Sequence, residues 1–222
     1  MRHVTDMQTT FSVFQASDEN EIVRLLAEVF TDRDPPAVAV GLTPSEFEPL
    51  VRLFCPKAAA EGLTIVARSA DTGEMVGALL TEDATSPPPP GVELVSTKFH
   101  PIFDILSELD AEYTSTHVPE PGEALHLFLL GVAAAFAGHG IAQQLVATCV
   151  ANGAGHGYQT AITEATNKTS QHVFRKQGFV ERARRSYAEH RFDGRAWFQS
   201  ITEHSGPMLM DKTLTAQPRR TE

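Results

Sequence analysis

The chain has 222 residues, 42% of them hydrophobic, which is enough to fill one core and short for two domains that each need their own. Its 18 basic and 28 acidic residues leave a formal charge of -10, which argues against sequence-independent nucleic-acid binding and suits either a cationic partner or simple solubility. Two cysteines, Cys55 and Cys149, both in apolar helical patterns, and no secretion signal or bilayer-length apolar run predict a soluble, cytoplasmic protein without disulfides, membrane or nucleic-acid partner.

Residues 1–10 are polar and without period and read as a loose start, after which Phe11-Ser-Val-Phe14 alternates as a short strand. A helix follows, capped by Ser17 or Asp18 with Glu21 in the capping-box place, its stripe made by Ile22, Leu25, Leu26, Val29 and Phe30. Asp32-Arg-Asp-Pro-Pro36 reads as its stop. Thr43-Pro-Ser-Glu46 announces a second helix that buries Phe47, Leu50, Val51 and Phe54. Thr64–Arg68 and Glu74–Leu80 make a hairpin through Ala70-Asp-Thr-Gly73. Pro87-Pro-Pro-Pro90 is stiff and extended, and Phe99, Ile102, Phe103, Leu106 and Leu109 then repeat at helical spacing, a helical lid or brace inserted between the hairpin and the next strand.

That next strand, Leu125–Val132, is the centre of the chain. It feeds a helix carrying Ile141, Leu145, Val146 and Cys149 through a turn that contains Gly138 and Gly140. Main-chain N–H groups at such a helix start have no carbonyl partners and suit phosphate. Tyr158–Thr163 reads as another strand, Asn167–Gln177 as a helix ended by Gly178, and Phe179–Tyr187 and Gly206–Leu214 as closing strands; the last eight residues look frayed.

Two stretches carry a family resemblance. Gly138-His-Gly-Ile-Ala142 resembles the acetyl-CoA pyrophosphate loop of the GNAT superfamily of N-acetyltransferases, Arg/Gln-x-x-Gly-x-Gly/Ala, with Gly140 and Ala142 in its last two places and Ala137 where the family has Arg or Gln. The segment Asn167-x-x-Ser-x-x-x-Phe-x-Lys-x-Gly-Phe179 resembles the second cofactor signature of the same family. Within it the chain looks most like the arylalkylamine N-acetyltransferases of insects and their microbial relatives, through Phe30-Thr-Asp-Arg-Asp-Pro-Pro36, the insert, the Gly-Ile-Ala ending of the loop, and Thr166 with Ser170.

The resemblance implies an α/β (α+β) fold in a single domain over residues 1–222, with a core over about 11–214 and a helical insert over about 81–123. It implies a mixed sheet of about six or seven strands with splayed central strands and about four or five flanking helices, the inserted one included. The implied activity is direct acetyl transfer from acetyl-CoA, as co-substrate and without a metal, to the primary amine of a small molecule such as an arylalkylamine or polyamine. A CoA-binding regulatory or sensory protein of the same fold is the alternative, and Ala137 and Phe174 are the departures that favour it. Oligomeric state stays open, with a homodimer as one option.

Roles follow residue by residue from the same resemblance. Leu130, Gly131 and Val132 would pair with the pantetheine arm. Ala137, Gly138, His139, Gly140, Ile141 and Ala142 would hold the pyrophosphate, with Asn167, Ser170, Phe174 and Lys176 from the second signature beside them. An alkylamine is mostly protonated at neutral pH, so a base is needed. Asp34 aligns with the residue proposed as base in the insect type; His126 on the central strand and Glu164 just beyond a strand are the other candidates. Phe174 stands where many relatives have a tyrosine to protonate the departing thiolate, which leaves Ser170 as hydrogen-bond donor to sulfur. Thr166 orients water or caps a helix, and His204 lies where relatives place a substrate-side histidine.

Overall fold

The strand and turn signals resolve into one mixed sheet. The computed structural model describes residues 8–116 and 118–214; the readings for residues 1–7 and 215–222 lie outside the described residues. Seven strands among them, β1 (Thr9–Val13), β2 (Ile65–Ser69), β3 (Met75–Asp83), β4 (Ala124–Val132), β5 (Thr160–Ala165), β6 (Val180–Arg184) and β7 (Met208–Thr213), run in the order β1-β2-β3-β4-β5-β7-β6. Every pairing is antiparallel except that of β4 with β5. Six α-helices among the described residues cover the two faces: α1 (Glu19–Arg33), α2 (Pro35–Ala39), α3 (Pro44–Glu61), α4 (His100–Thr114), α5 (Ile141–His156) and α6 (Lys168–Lys176). Ile22, Leu26, Ala37, Val51 and Ile105 bury the first four helices against one face, and Leu145, Val146, Val173 and Phe174 bury α5 and α6 against the other.

Local chemistry sets the helix ends, in two places differently from the expectation. Asp18 does not cap α1: its carboxylate accepts from the Gln15 N–H at 2.9 Å and closes a 3-10 turn that precedes the helix. Glu21 is used instead by Arg68, which it meets at 2.9 Å, and by the Met75 N–H. The Pro35-Pro36 pair does end α1, but it also starts α2, because proline in the first helical turn gives up an N–H that has no partner there anyway. Asp34 is the N-cap of that short helix. Thr43 and Glu46 form the expected capping box of α3.

Two irregularities open the sheet in its middle. Leu80 pairs with Leu129 and Thr81 with Leu127, so Phe128 is an extra residue on β4, a bulge that puts Phe128 and Leu129 on the same face. On its other side β4 pairs with β5 only at Ala124, Leu125 and His126. Beyond them the Thr163 hydroxyl donates to the Leu127 carbonyl at 2.9 Å, a side chain standing where a ladder N–H would be. From there β5 follows β7, with which it pairs from Thr160 to Ala165, and β4 stays with β3. The two half-sheets diverge like the arms of a V.

The far end of β7 is held by close main-chain approach. A Cβ built on Gly206 would lie 1.7 Å from the Arg185 carbonyl oxygen, and the Gly206 carbonyl accepts from the buried Gln171 amide at 3.0 Å. Gly206→Ala is therefore expected to cost about 3 kcal/mol by forcing the strands apart. Urea denaturation checks this; a loss under about 1 kcal/mol would mean that the chain relaxes easily here.

Candidate active site

The V between β4 and β5 opens into a cavity of about 510 Å³. Phe30 and Val29 of α1, Phe47 of α3, and Phe99, Phe103 and Leu106 in and before α4 wall one part of it; Leu127 to Leu130, Thr163 to Asn167, Thr169 and Ser170 wall another. The inserted helix is thus both brace and wall: Ile105 and Leu109 are fully buried in the core while Ile102, Phe103 and Leu106 face the cavity.

Main-chain groups supply one end of the site. Ala133 donates its N–H to Val76 on β3 at 2.8 Å, so strand alternation turns the N–H and C=O of Leu130 and Val132 away from β3 and into the V. After β4 a 3-10 turn over Ala134–Phe136 leads to Gly138 and Gly140, whose φ of 83° and 77° are left-handed values that favour glycine. Gln144 is the first residue of α5 to find a carbonyl, that of Gly140. The N–H groups of Ile141, Ala142 and Gln143 come before it, at the positive end of a 16-residue helix. Space around Gly138 is open, with no atom within 4 Å of a built Cβ. Donors without carbonyl partners, an open turn and an unpaired strand edge fit a diphosphate on an amide-bearing arm.

Side chains gather at the other end. Asp34 Oδ1 accepts from the Thr166 hydroxyl at 2.5 Å, and Oδ2 accepts from the Ala37 N–H at 3.4 Å. Desolvation pushes the Asp34 carboxyl up to about 6, although both hydrogen bonds pull the other way. Tyr187, fully buried, donates to the Thr166 carbonyl at 2.8 Å and fixes the turn that carries it. One step further, Asn167 and Ser170 form the capping box of α6: Asn167 Oδ1 accepts from the Ser170 N–H at 2.9 Å and the Ser170 hydroxyl oxygen accepts from the Asn167 N–H at 3.3 Å, while that hydroxyl also donates to the Asn167 carbonyl at 3.0 Å. Phe174 is buried edge-on against Phe179, with ring centroids 5.1 Å apart.

A charged network lies behind the wall. Glu164 Oε2 is 2.7 Å from His126 Nε2, the other ring nitrogen is 3.5 Å from Glu82, and Lys57 pairs with Glu82. Burial alone would depress the imidazole, but the Glu164 and Glu82 carboxylates outweigh it and raise His126 to about 10. The same pairing holds Glu164 and Glu82 below the usual carboxylate range despite their burial. Asp110 of α4 faces Glu164 and is pushed up to about 7 by desolvation and by that charge. His126 at neutral pH is an imidazolium clamped between two carboxylates, with no lone pair to offer.

Most of the residues singled out in the sequence meet around this cavity. Asp34, Leu130, Val132, Ala137, Gly138, Gly140, Ile141, Ala142, Glu164, Thr166, Asn167, Ser170 and Phe174 all line it. His126 and Gly131 sit behind it, Gly131 because a Cβ there would come within 2.7 Å of Leu26 on α1. His139 and Lys176 are exposed outside its wall. His204 is not brought to it; the nearest ionic neighbour of that histidine is Glu203 at 3.6 Å. Helical spacing gives the aromatic residues of α1 and α3 as buried faces and those of α4 as a lid or brace; the reach of Arg33 to Val132 and the extra residue at Phe128 have no local signal.

Residues 26–179 match the family described as the acetyltransferase (GNAT) family. No curated protein matches the chain in sequence. Among solved structures, the C-terminal condensation domain of Ebony in complex with beta-alanyl-dopamine superposes with a TM-score of 0.84 at 14% identity, over 93% of this chain and 99% of that one. Arylalkylamine N-acetyltransferase 2 from Aedes aegypti superposes with a TM-score of 0.80 at 21% identity, over 94% of this chain and 100% of the other. The polyamine N-acetyltransferase of Drosophila melanogaster, described as forming N-acetylagmatine, gives 0.74 at 17% identity, over 93% and 100%.

Proposed function

The chain belongs to the acetyltransferase (GNAT) family, and from that premise we propose that it moves an acetyl group from acetyl-CoA to the primary amine of a small molecule, in the manner of the arylalkylamine branch. The observation that carries this reading is one cavity that joins an open main-chain edge and phosphate cradle to a carboxylate poised near neutrality. Aromatic walls of Phe30, Phe47, Phe99 and Phe103 favour an acceptor with a flat or apolar body and one charged end. Its similarity to proteins named for arylalkylamines supports the same choice.

Acetyl-CoA, when bound, supplies the activated acyl carbon. The N–H groups of Ile141, Ala142 and Gln143 would hold its diphosphate, and the β4 edge at Leu130 and Val132 its amide arm. Asp34, ionised above about pH 6, takes a proton from the incoming ammonium, directly or through water, and the Thr166 hydroxyl fixes the carboxylate that does so. The Leu130 N–H faces the V as a ready donor to an oxygen that gains charge. Ser170 is the hydroxyl nearest in sequence to Phe174, which has no proton to give.

Ser170→Ala is expected to lower turnover about 10-fold with little change in acetyl-CoA affinity. It should also cost about 1 kcal/mol of stability, since the same hydroxyl serves the α6 cap. Steady-state kinetics beside thermal melts separate the two effects, and a loss confined to stability would remove Ser170 from the chemistry. The reading as a whole is tested by thiol release from acetyl-CoA across arylalkylamines, polyamines and aminoglycosides. Tight acetyl-CoA binding with no thiol release for any amine would leave a regulatory CoA-binding protein instead.

A further inference from the structure

Arg33 is the one lysine or arginine among the described residues lining the cavity. It leaves the last turn of α1, and its Nη2 donates to the Val132 carbonyl at 2.7 Å, reaching a residue 99 positions away. That carbonyl points into the V, so the guanidinium lies across the seam, on an acceptor of the open β4 edge. It is loosely held. The side chain is 38% exposed, and its neighbour Asp32, 3.6 Å away, is 73% exposed, so that ion pair contributes little. Of the five N–H donors on a guanidinium, the Val132 carbonyl takes one.

The phosphate cradle, by contrast, is short of charge. Ala137 ends at its Cβ, and the start of α5 offers only dipolar N–H groups and no acidic or basic side chain in its first turn, worth about half an elementary charge together. The cradle is also close to Arg33 along the chain fold. Ala133 follows Val132 directly, and the 3-10 turn Ala134–Phe136 then advances by about 2 Å per residue, which keeps Ala137 and Gly138 near the β4 end. Arg33, Val132, Ala137, Gly138 and Gly140 all line the one cavity.

Building on the acetyl-CoA reading above, we propose that Arg33 is the phosphate-binding cation of this site, supplying from α1 the charge that the loop lacks at Ala137. Turning onto a phosphate frees the Val132 carbonyl, which then becomes an acceptor for an amide of the pantetheine arm. A guanidinium suits this because its planar fork can grip two phosphate oxygens at once.

The test is calorimetry with two thioesters that share the same arm: acetyl-CoA, and S-acetylpantetheine, which has no phosphate. Arg33→Gln keeps a donor for Val132 and loses the charge, and Arg33→Ala loses both. Both variants are expected to weaken acetyl-CoA roughly 10- to 100-fold and to leave S-acetylpantetheine unchanged, or slightly tighter where the Val132 carbonyl is uncovered. Adding Ala137→Arg to Arg33→Ala is expected to restore most of the acetyl-CoA affinity. Equal losses for both thioesters, or unchanged acetyl-CoA binding, would overturn the assignment while leaving the acetyltransferase reading intact. Absence of heat from the unaltered protein with acetyl-CoA would overturn both.

Discussion

Asp34→Asn should lower turnover roughly 10²- to 10⁴-fold and, at the same time, stabilise the protein at pH 8. Asparagine keeps its Oδ1 as acceptor for the Ala37 N–H, turns its Nδ2 as donor to the Thr166 hydroxyl oxygen, and removes a charge that burial disfavours. The sign follows from a folded-state value raised from 3.8 to about 6. The stability that protonated Asp34 contributes is fully present below 3.8 and is lost as pH rises through about 6. Above that, the ionised group costs roughly 2 to 3 kcal/mol, which the asparagine variant recovers. Denaturant melts at pH 5 and pH 8 should therefore show a gain that grows with pH. The kcat/KM of the unaltered protein should rise through about pH 6 as the carboxylate forms. Unchanged turnover in the variant would remove Asp34 from the mechanism; a stability gain independent of pH would mean that its charge is not buried. Such a trade of stability for activity is common where a site must hold a group in an unfavourable state.

His126→Leu is the change expected to destabilise most. It leaves Glu164 and Glu82 in place beside Asp110, with Lys57 still paired to Glu82, and breaking a buried pair in this way costs about 3 to 5 kcal/mol. His126, raised to about 10, contributes stability that is fully present below 6.5 and is lost as pH rises through about 10. Glu164 and Glu82, both lowered, contribute above 4.5 and lose that contribution as pH falls further. The penalty of the leucine variant should thus be largest near pH 6, shrink towards pH 4, where its carboxylates take up protons, and shrink again towards pH 10, where the imidazolium of the unaltered protein loses its proton. Urea denaturation across that range checks the slope. A small, flat penalty would mean that the imidazole is neutral, and would return it to the list of bases.

What was legible in the sequence was whatever repeats locally. The stripes of α1, α3 and α5, the β2–β3 hairpin and the apolar β4 each carry their own period, and two local motifs marked the Gly138–Gly140 turn and the start of α6. Pro35-Pro36 was legible as the stop of α1 but not as the start of α2, because the same residue that cannot continue one helix is well suited to begin another. The site's cross-links were not legible. Asp34 meets Thr166 across 132 positions and Arg33 meets Val132 across 99, and nothing in either neighbourhood encodes the other. The aromatic wall was invisible for a different reason: Phe30, Phe47 and Phe103 keep helical spacing whether they face a core or a cavity.

The extra residue in β4 makes that strand a sentence read in two frames. Upstream of Phe128, Leu125 faces α5 and His126 faces the carboxylates; downstream, Leu130 and Val132 face α5 while Gly131 faces α1. Excising one residue anywhere between them would mend the ladder to β3 and rotate one half of the strand against the other, putting leucine among the acids and imidazole into oil. A gene for this fold can change the letter at position 128 but cannot drop it, so length is what inheritance must guard there.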